Sequence, residues 1–160
     1  MNNGQAIVTR MEYKMPAVFS KNGVRFAFPD NWTLDEEALD GASTVSVVSP
    51  DGAFWWLAIH PPAIELAQAA KAVLDGLRSS YDNFDAEGVV EVIADQETIG
   101  SDVNFFCLDL LSTARIRGFQ TVDASYLMLW QAEDREFAQV QPVFQAITTS
   151  LIRTACGIED

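Results

Sequence analysis

With 160 residues, 49% of them apolar and 21% charged, the chain can bury one core without disulfides or metals, and ten Phe, four Trp and three Tyr exclude disorder. Its net charge of −13 sets an acidic field against phosphate backbones and anionic lipid, which excludes direct nucleic-acid binding and docking to an acidic membrane. No window approaches about 18 consecutive apolar residues, so no membrane span is expected. The charge is uneven. Residues 1–80 hold nine acids and six bases, whereas residues 81–160 hold fourteen acids and four bases.

A single domain over residues 1–160 is expected, with residues 1–12 irregular. The first ten residues lack a basic segment leading into an apolar stretch, so no signal peptide is read there and a cytoplasmic location is expected. The first clear unit is a hairpin: Ala17 to Ser20 and Val24 to Phe28 flank Asn22-Gly23, two residues that tolerate positive φ. Pro29 to Trp32 ends it in a turn. Residues 33–43 read as an acidic connector with at most one helical turn. Thr44 to Ser49 and Ala53 to Ile59 form a second hairpin around Pro50-Asp51-Gly52.

A first helix is expected over residues 63–81, started by Pro61-Pro62 and carrying Leu66, Ala70, Val73, Leu74 and Leu77 at helical spacing. Residues 87–98 alternate as one half-exposed strand. Val90, Val92 and Ala94 share its inner face, and Glu91, Asp95 and Glu97 form an outer acidic row with Ile93. Val103 to Leu111 is nearly all apolar, the pattern of a central strand covered on both faces. Ile116 to Trp130 reads as another long strand, broken or bulged at Gly118. Asp134 is expected to cap a second helix reaching about Thr154, with Phe137, Val140, Phe144, Ile147 and Leu151 in its stripe. Pro142 should kink that helix or move its start to residue 141. Strands, helix, strands, helix, without repeat or linker, give an α+β fold: a mainly antiparallel sheet flanked by two long helices.

Three stretches together resemble a known superfamily. They are Gly23 to Pro29 followed by Trp32, the turn Ser49-Pro50-Asp51-Gly52, and the closing Phe144, Ile147, Ser150 and Leu151. In these the chain, over about residues 17–152, is similar to the PsbP/Mog-type α/β/α sandwich superfamily and to related bacterial families of unknown function. The resemblance implies binding and assembly factors: photosystem II extrinsic proteins, a Ran-GTPase binding factor, and chaperones of type VI secretion effectors. Its motifs are packing and turn motifs, so it carries no catalytic residue onto this sequence.

The chemistry-bearing residues point the same way. His60, the only histidine, stands at a strand end without a nucleophile motif, so the choice is between a general base and a structural residue. Asp109 interrupts the most apolar run. It reads either as a functional carboxylate, or as a residue that faces a sheet margin or pairs with Arg115 or Arg117. Asp82, Asp85, Glu87, Glu91, Asp95, Glu97 and Asp102 form seven acids without an intervening base. They are too extended for a calcium loop and read as a solvated face or a surface for a basic partner. Cys107 and Cys156 have no metal spacing and no required bridge. Trp55 and Trp56 put one indole on each face of a strand, one of them in the core.

The expectation is a non-enzymatic protein-binding or adaptor, chaperone-like domain, with no cofactor, no metal and no catalytic set. Trp55, Trp56, Glu91, Asp95 and Glu97 are the candidate partner surface, and another protein with a basic surface or a second copy of the chain is the candidate partner. The alternative is a small-molecule or lipid binder with an apolar pocket. A hydrolase-type enzyme would need Asp109, His60 and a polar partner to meet in one cleft.

Overall fold

The computed structural model describes residues 17–39 and 42–158; the N-terminal segment expected to be irregular lies outside the described residues. Among the described residues nine strands and two helices follow in the order β1 (Ala17–Lys21), β2 (Val24–Phe28), β3 (Thr33–Leu39), β4 (Ala42–Val48), β5 (Phe54–His60), α1 (Leu66–Ser80), β6 (Asp82–Ile93), β7 (Gln96–Cys107), β8 (Leu110–Gln120), β9 (Ser125–Glu133) and α2 (Asp134–Ala155). β1 and β2 form a separate hairpin. The other seven form an antiparallel sheet in the order β3-β4-β5-β9-β8-β7-β6. Two meanders, β3 to β5 and β6 to β9, are therefore joined by α1, and β5 pairs with β9 where they meet.

The two hairpins with strong turn residues form where the sequence places them. Asn22 and Gly23 adopt φ of 52° and 84° between β1 and β2. Between β4 and β5, Gly52 has φ 99°, and Ser49 Oγ accepts the Ala53 amide at 3.0 Å. Elsewhere the structure corrects the sequence reading. Residues 33–39 are not a connector but the edge strand β3, whose acids Asp35, Glu36 and Glu37 point mainly to solvent. The single strand expected over residues 87–98 is a hairpin turning at Ala94 and Asp95, with φ of 51° and 66°. The apolar run 103–111 turns at Leu108 and Asp109, with φ of 52° and 67°. Residues 116–130 are two strands, and Gly118 lies in regular register, close to Leu66 of α1, rather than in a bulge.

Helix α1 starts at Leu66, three residues later than expected, because residues 61–65 form an irregular lead-in. Helix α2 runs through Pro142 without restarting; its N-cap is Glu133, and Asp134 is its first residue.

Alternate residues of the central strands build two cores, as strand geometry requires. Ala58, Val103, Phe105, Ala114, Ile116, Leu127 and Leu129 pack with Ala70, Val73, Leu74 and Leu77 of α1. Their neighbours Val45, Val47, Trp55, Leu57, Met128 and Trp130 pack with Phe144, Ile147 and Leu151 of α2 and with Phe26 of β2. Each such fully buried side chain contributes about 1.5–3 kcal/mol. The β1–β2 hairpin is pinned to α2 by the Ala27 amide donating to Ser150 Oγ at 2.9 Å and by Thr154 Oγ1 donating to the Arg25 carbonyl at 2.6 Å. The Thr154 hydroxyl and Ser150 thus tie the two ends of the described chain together.

Candidate functional site

The five residues of the expected partner surface do not share one. Trp55 is fully buried; its Nε1 donates to Thr148 Oγ1 at 2.9 Å, and its ring lies 4.9 Å from Phe26. No partner can reach it without unfolding the core. Trp56 points the other way and is half-buried in the α1-side core. Asp95 sits in the β6–β7 turn, and Glu97 lies on β7 opposite Val92. Glu91 shares a face with Ile93, which is buried, whereas Val90 and Val92 are each 65% exposed. The expected faces of this strand are inverted: its valines look outward and Glu91 inward.

Glu91 looks inward because of Arg117. This residue is 3% exposed, and each of its guanidinium nitrogens makes a hydrogen bond. Nε donates to Glu91 Oε1 at 2.7 Å and Nη2 to Asp102 Oδ1 at 2.7 Å. Nη1 reaches the carbonyls of Ser101 and Ile116 at 3.2 and 2.9 Å. Two members of the acidic run are therefore counter-ions of a buried cation, as burial of a charge demands. Arg115 lies on the same face, two residues earlier. Its Nε is 3.6 Å from Asp102 Oδ1 and its guanidinium 5.1 Å above the Phe137 ring. Asp109 pairs with neither arginine; it is exposed in the β7–β8 turn. The legible signal was Arg-x-Arg on an otherwise apolar strand, which puts two cations on one face and calls for acids across from them.

A cavity of about 320 Å³ opens between this face of the sheet and α2. Arg115, Trp130, Gln141 and Gln145 border it, beside the Arg117 cluster. Trp130 Nε1, Gln141 Oε1 and Gln145 Oε1 are buried without a hydrogen-bond partner. Such groups cost about 1–3 kcal/mol each. A second hollow of about 310 Å³ lies between the β1–β2 hairpin and β3–β4. Phe19, Val24, Val45 and Ile59 give it an apolar floor, and Lys21 pairs with Glu36 at 3.0 Å on its rim.

His60 ends β5 opposite Ser125, half-buried and far along the chain's fold from the turn that holds Asp109. Among the described residues no group of three His, Cys, Asp or Glu side chains is placed to hold a metal ion. Cys107 and Cys156 are free and half-buried; burial pushes the Cys156 thiol up, and its Sγ lies 3.4 Å from Gln96 Oε1. Among the described residues no helix is long and apolar enough to cross a membrane.

Near the start of α2, burial raises the carboxyl of Glu136, and the neighbouring charges of Asp51 and Glu133 raise it further. A carboxyl raised on folding favours the native state only while protonated, so its contribution is present at low pH and lost as pH rises through the native value. Glu136→Gln is therefore expected to raise the melting temperature at neutral pH. The gain should vanish near pH 4, about where a free carboxyl is itself protonated. Thermal melts at the two pH values check this.

Among the described residues, four of the exposed large apolar side chains fall at the tip of the β7–β8 hairpin. Strand row Asn104, Thr113, Ala132 is where α2 begins, with Thr113 Oγ1 donating to Asp134 Oδ1 at 2.8 Å. Beyond that row the hairpin runs on: Phe106 is 40% exposed, Leu108 90%, Leu110 43% and Leu111 39%. The half of the apolar run expected to be a doubly covered strand is thus its uncovered end. Asp82, opposite Phe106, opens the acidic edge strand β6 beside it.

No protein-family model matches the chain, and no curated protein matches it significantly in sequence. Solved structures do match. The solution structure of cyanobacterial PsbP from Synechocystis has a TM-score of 0.60 at 13% identity, covering 84% of this chain and 89% of that one. A crystal structure from Bacteroides thetaiotaomicron has a TM-score of 0.57 at 13% identity and covers 86% of this chain, which spans only 48% of that protein. LpqN, involved in cell envelope biogenesis of Mycobacterium tuberculosis, is a looser likeness, with a TM-score of 0.48 at 15% identity over 76% of this chain and 78% of that one. The fold is PsbP-like, and at these identities the likeness concerns the fold alone.

Proposed function

We propose that this domain is a non-enzymatic protein-binding module, of the adaptor or chaperone type, that docks its partner on the tip of the β7–β8 hairpin. Leu108 carries the reading. It holds a bulky apolar side chain 90% exposed, at φ 52°, in backbone that favours Gly or Asn. Neither the turn nor the core asks for leucine there, and a strained, exposed anchor is what an interface asks for. Phe106 and Leu111, partners across β7 and β8, lie on one face of the tip and Leu110 on the other, and Asp82 and Asp109 add negative charge beside it. The matching partner surface is apolar with a basic rim. The two layers of helix about the sheet are read as an α/β/α sandwich that holds this tip out, and two unbridged cysteines go with a reducing, cytoplasmic setting.

Leu108→Asn separates binding from folding. Asparagine suits the left-handed turn, so the variant should be as stable as wild type or up to about 1 kcal/mol more so. It should nevertheless retain the partner at least tenfold less well, an effect of about 1.4 kcal/mol. The comparison is affinity purification of both tagged proteins from the native organism, at low and high salt. Equal recovery of the same partner by both, or recovery of the protein alone by wild type, would set the reading aside. The small-molecule or lipid reading rests on the hollow beneath the β1–β2 hairpin, whose charged rim of Lys21, Glu36 and Glu37 suits an apolar tail poorly.

A further inference from the structure

Strand β6 closes the seven-stranded sheet at one edge, and no strand among the described residues pairs with its outer side. It meets β7 through the two-residue turn Ala94-Asp95, so Ile93 and Gln96 close the hairpin as a hydrogen-bonded pair. Counting back in steps of two, the backbone groups of Glu91, Val89 and Glu87 bond to β7; the Thr98 hydroxyl adds a bond to the Glu91 carbonyl at 2.7 Å. The amides and carbonyls of Ala86, Gly88, Val90 and Val92 therefore point out of the sheet. Such a row is a template for a further strand unless lysine, proline or a bulge blunts it, and residues 86–93 contain none of these.

The two faces of this edge differ. On the α1 side Val90 and Val92 are each 65% exposed, and Gly88 precedes them without a side chain. Beside Gly88 a hollow of about 410 Å³ opens against α1, walled by Ala67, Ala70, Leu74, Val90 and Ile99. On the other side Asp85 and Glu87 are exposed and pair with no cation among the described residues. The far edge of the sheet is tied down instead: Lys21 of the β1–β2 hairpin reaches Glu36 of β3 at 3.0 Å.

We propose that the β6 edge takes an extended basic segment of another protein as an eighth, antiparallel strand. The main chain of that segment would bond the outward amides and carbonyls. Its side chains would alternate, apolar ones against Val90, Val92 and the hollow, lysine or arginine against Asp85 and Glu87. Charge selects this occupant. β6 holds Asp82, Asp85, Glu87 and Glu91 and no base, so a second copy centred on Val89 would set Glu87 opposite Glu91, a destabilising pair. The surface lies at the end of β6 away from Asp82 and Phe106, and it needs nothing from Leu108.

The probe is a fluorescent peptide of alternating lysine and valine, 12 residues long to match β6, titrated onto the whole chain at low salt and followed by anisotropy. It should bind saturably, and a glutamate–valine peptide of the same pattern should not. N-methylation of every valine keeps the charge but removes the donors that face β6, and should weaken binding at least about tenfold. Val90→Pro removes an outward amide at an edge position that admits proline, and should weaken binding comparably. If that variant does not fold, the N-methylated peptide on the wild-type protein decides alone. The proposal is overturned if the lysine–valine peptide does not bind, if its N-methylated form binds equally, or if folded Val90→Pro binds as wild type does. A dimer in sedimentation that Val90→Pro dissociates would assign the edge to a second copy and overturn it as well.

Discussion

Gly100→Ala is expected to cost more than about 4 kcal/mol, a large fraction of the roughly 5–15 kcal/mol by which a domain is stable. Gly100 lies in β7 opposite Arg117 of β8. A Cβ there would stand 1.7 Å from the Ile116 carbonyl oxygen and 2.6 Å from its carbon. Those atoms are backbone, so no side chain can swing aside; β8 would have to move, and with it the row that holds Arg117. Gly88, on the neighbouring strand, is the control. Its Cβ would meet only the Gly100 carbonyl oxygen at 3.9 Å, an ordinary contact, so Gly88→Ala should change stability by less than about 1 kcal/mol. Denaturant midpoints of the two variants measure the contrast. A Gly100→Ala protein as stable as Gly88→Ala would show that β7 and β8 do not approach in this register.

Arg117→Ala is the second large effect. The guanidinium is 4% exposed and binds two carboxylates and two carbonyls. Removing it leaves Glu91 without a cation and Asp102 with only the more distant Arg115, and leaves the Ser101 and Ile116 carbonyls short of a donor. Breaking a buried pair from one side costs about 3–5 kcal/mol; a value near 3 is expected, because both carboxylates are a third or more exposed and water screens them. Arg117→Lys should recover little of this, since an ammonium cannot bridge both acids in the planar geometry of the fork. Replacing the buried pair together, Arg117→Met with Glu91→Leu, should restore most of the stability, because Asp102 then still has Arg115 as its counter-ion. Urea melts of the three proteins test it. An Arg117→Ala protein within about 1 kcal/mol of wild type would mean that the cluster contributes little.

What the sequence made legible was local. Asn22-Gly23 and Pro50-Asp51-Gly52 announce their hairpins because those residues fit the turn themselves. The stripes of α1 and α2 announce their helices for the same reason. Ala94-Asp95 and Leu108-Asp109 announce nothing: both pairs adopt positive φ, yet Ala and Leu are not residues that seek it, so each turn is imposed by the pairing of the long strands around it. Missing those turns inverted the face of β6 and placed Leu108 inside a strand. Edge strand β3 was hidden for another reason. Its run of Asp35, Glu36 and Glu37 has poor strand propensity and survives because an edge strand can turn charges to water.

The site followed the same division. The acidic surplus of the second half was visible, and Arg115 and Arg117 were visible as partners for some carboxylate. That the carboxylates are Glu91 and Asp102, rather than Asp109, depends on strand order, which no local pattern encodes. Trp55 and Trp56 were correctly split between two faces. Helix α2 then buries Trp55 and α1 half-covers Trp56, while the reach of α2 leaves residues 106–111 uncovered.

The most direct test of the hairpin tip as a docking surface compares two positions of equal exposure. Leu108 is 90% and Val122 91% exposed, at opposite ends of β8. A photo-crosslinking amino acid placed at each, in cells of the native organism, reports what touches each end. The account predicts a discrete adduct with one protein at position 108 that is missing at position 122. Identical adducts at both positions, or none at 108, would contradict it.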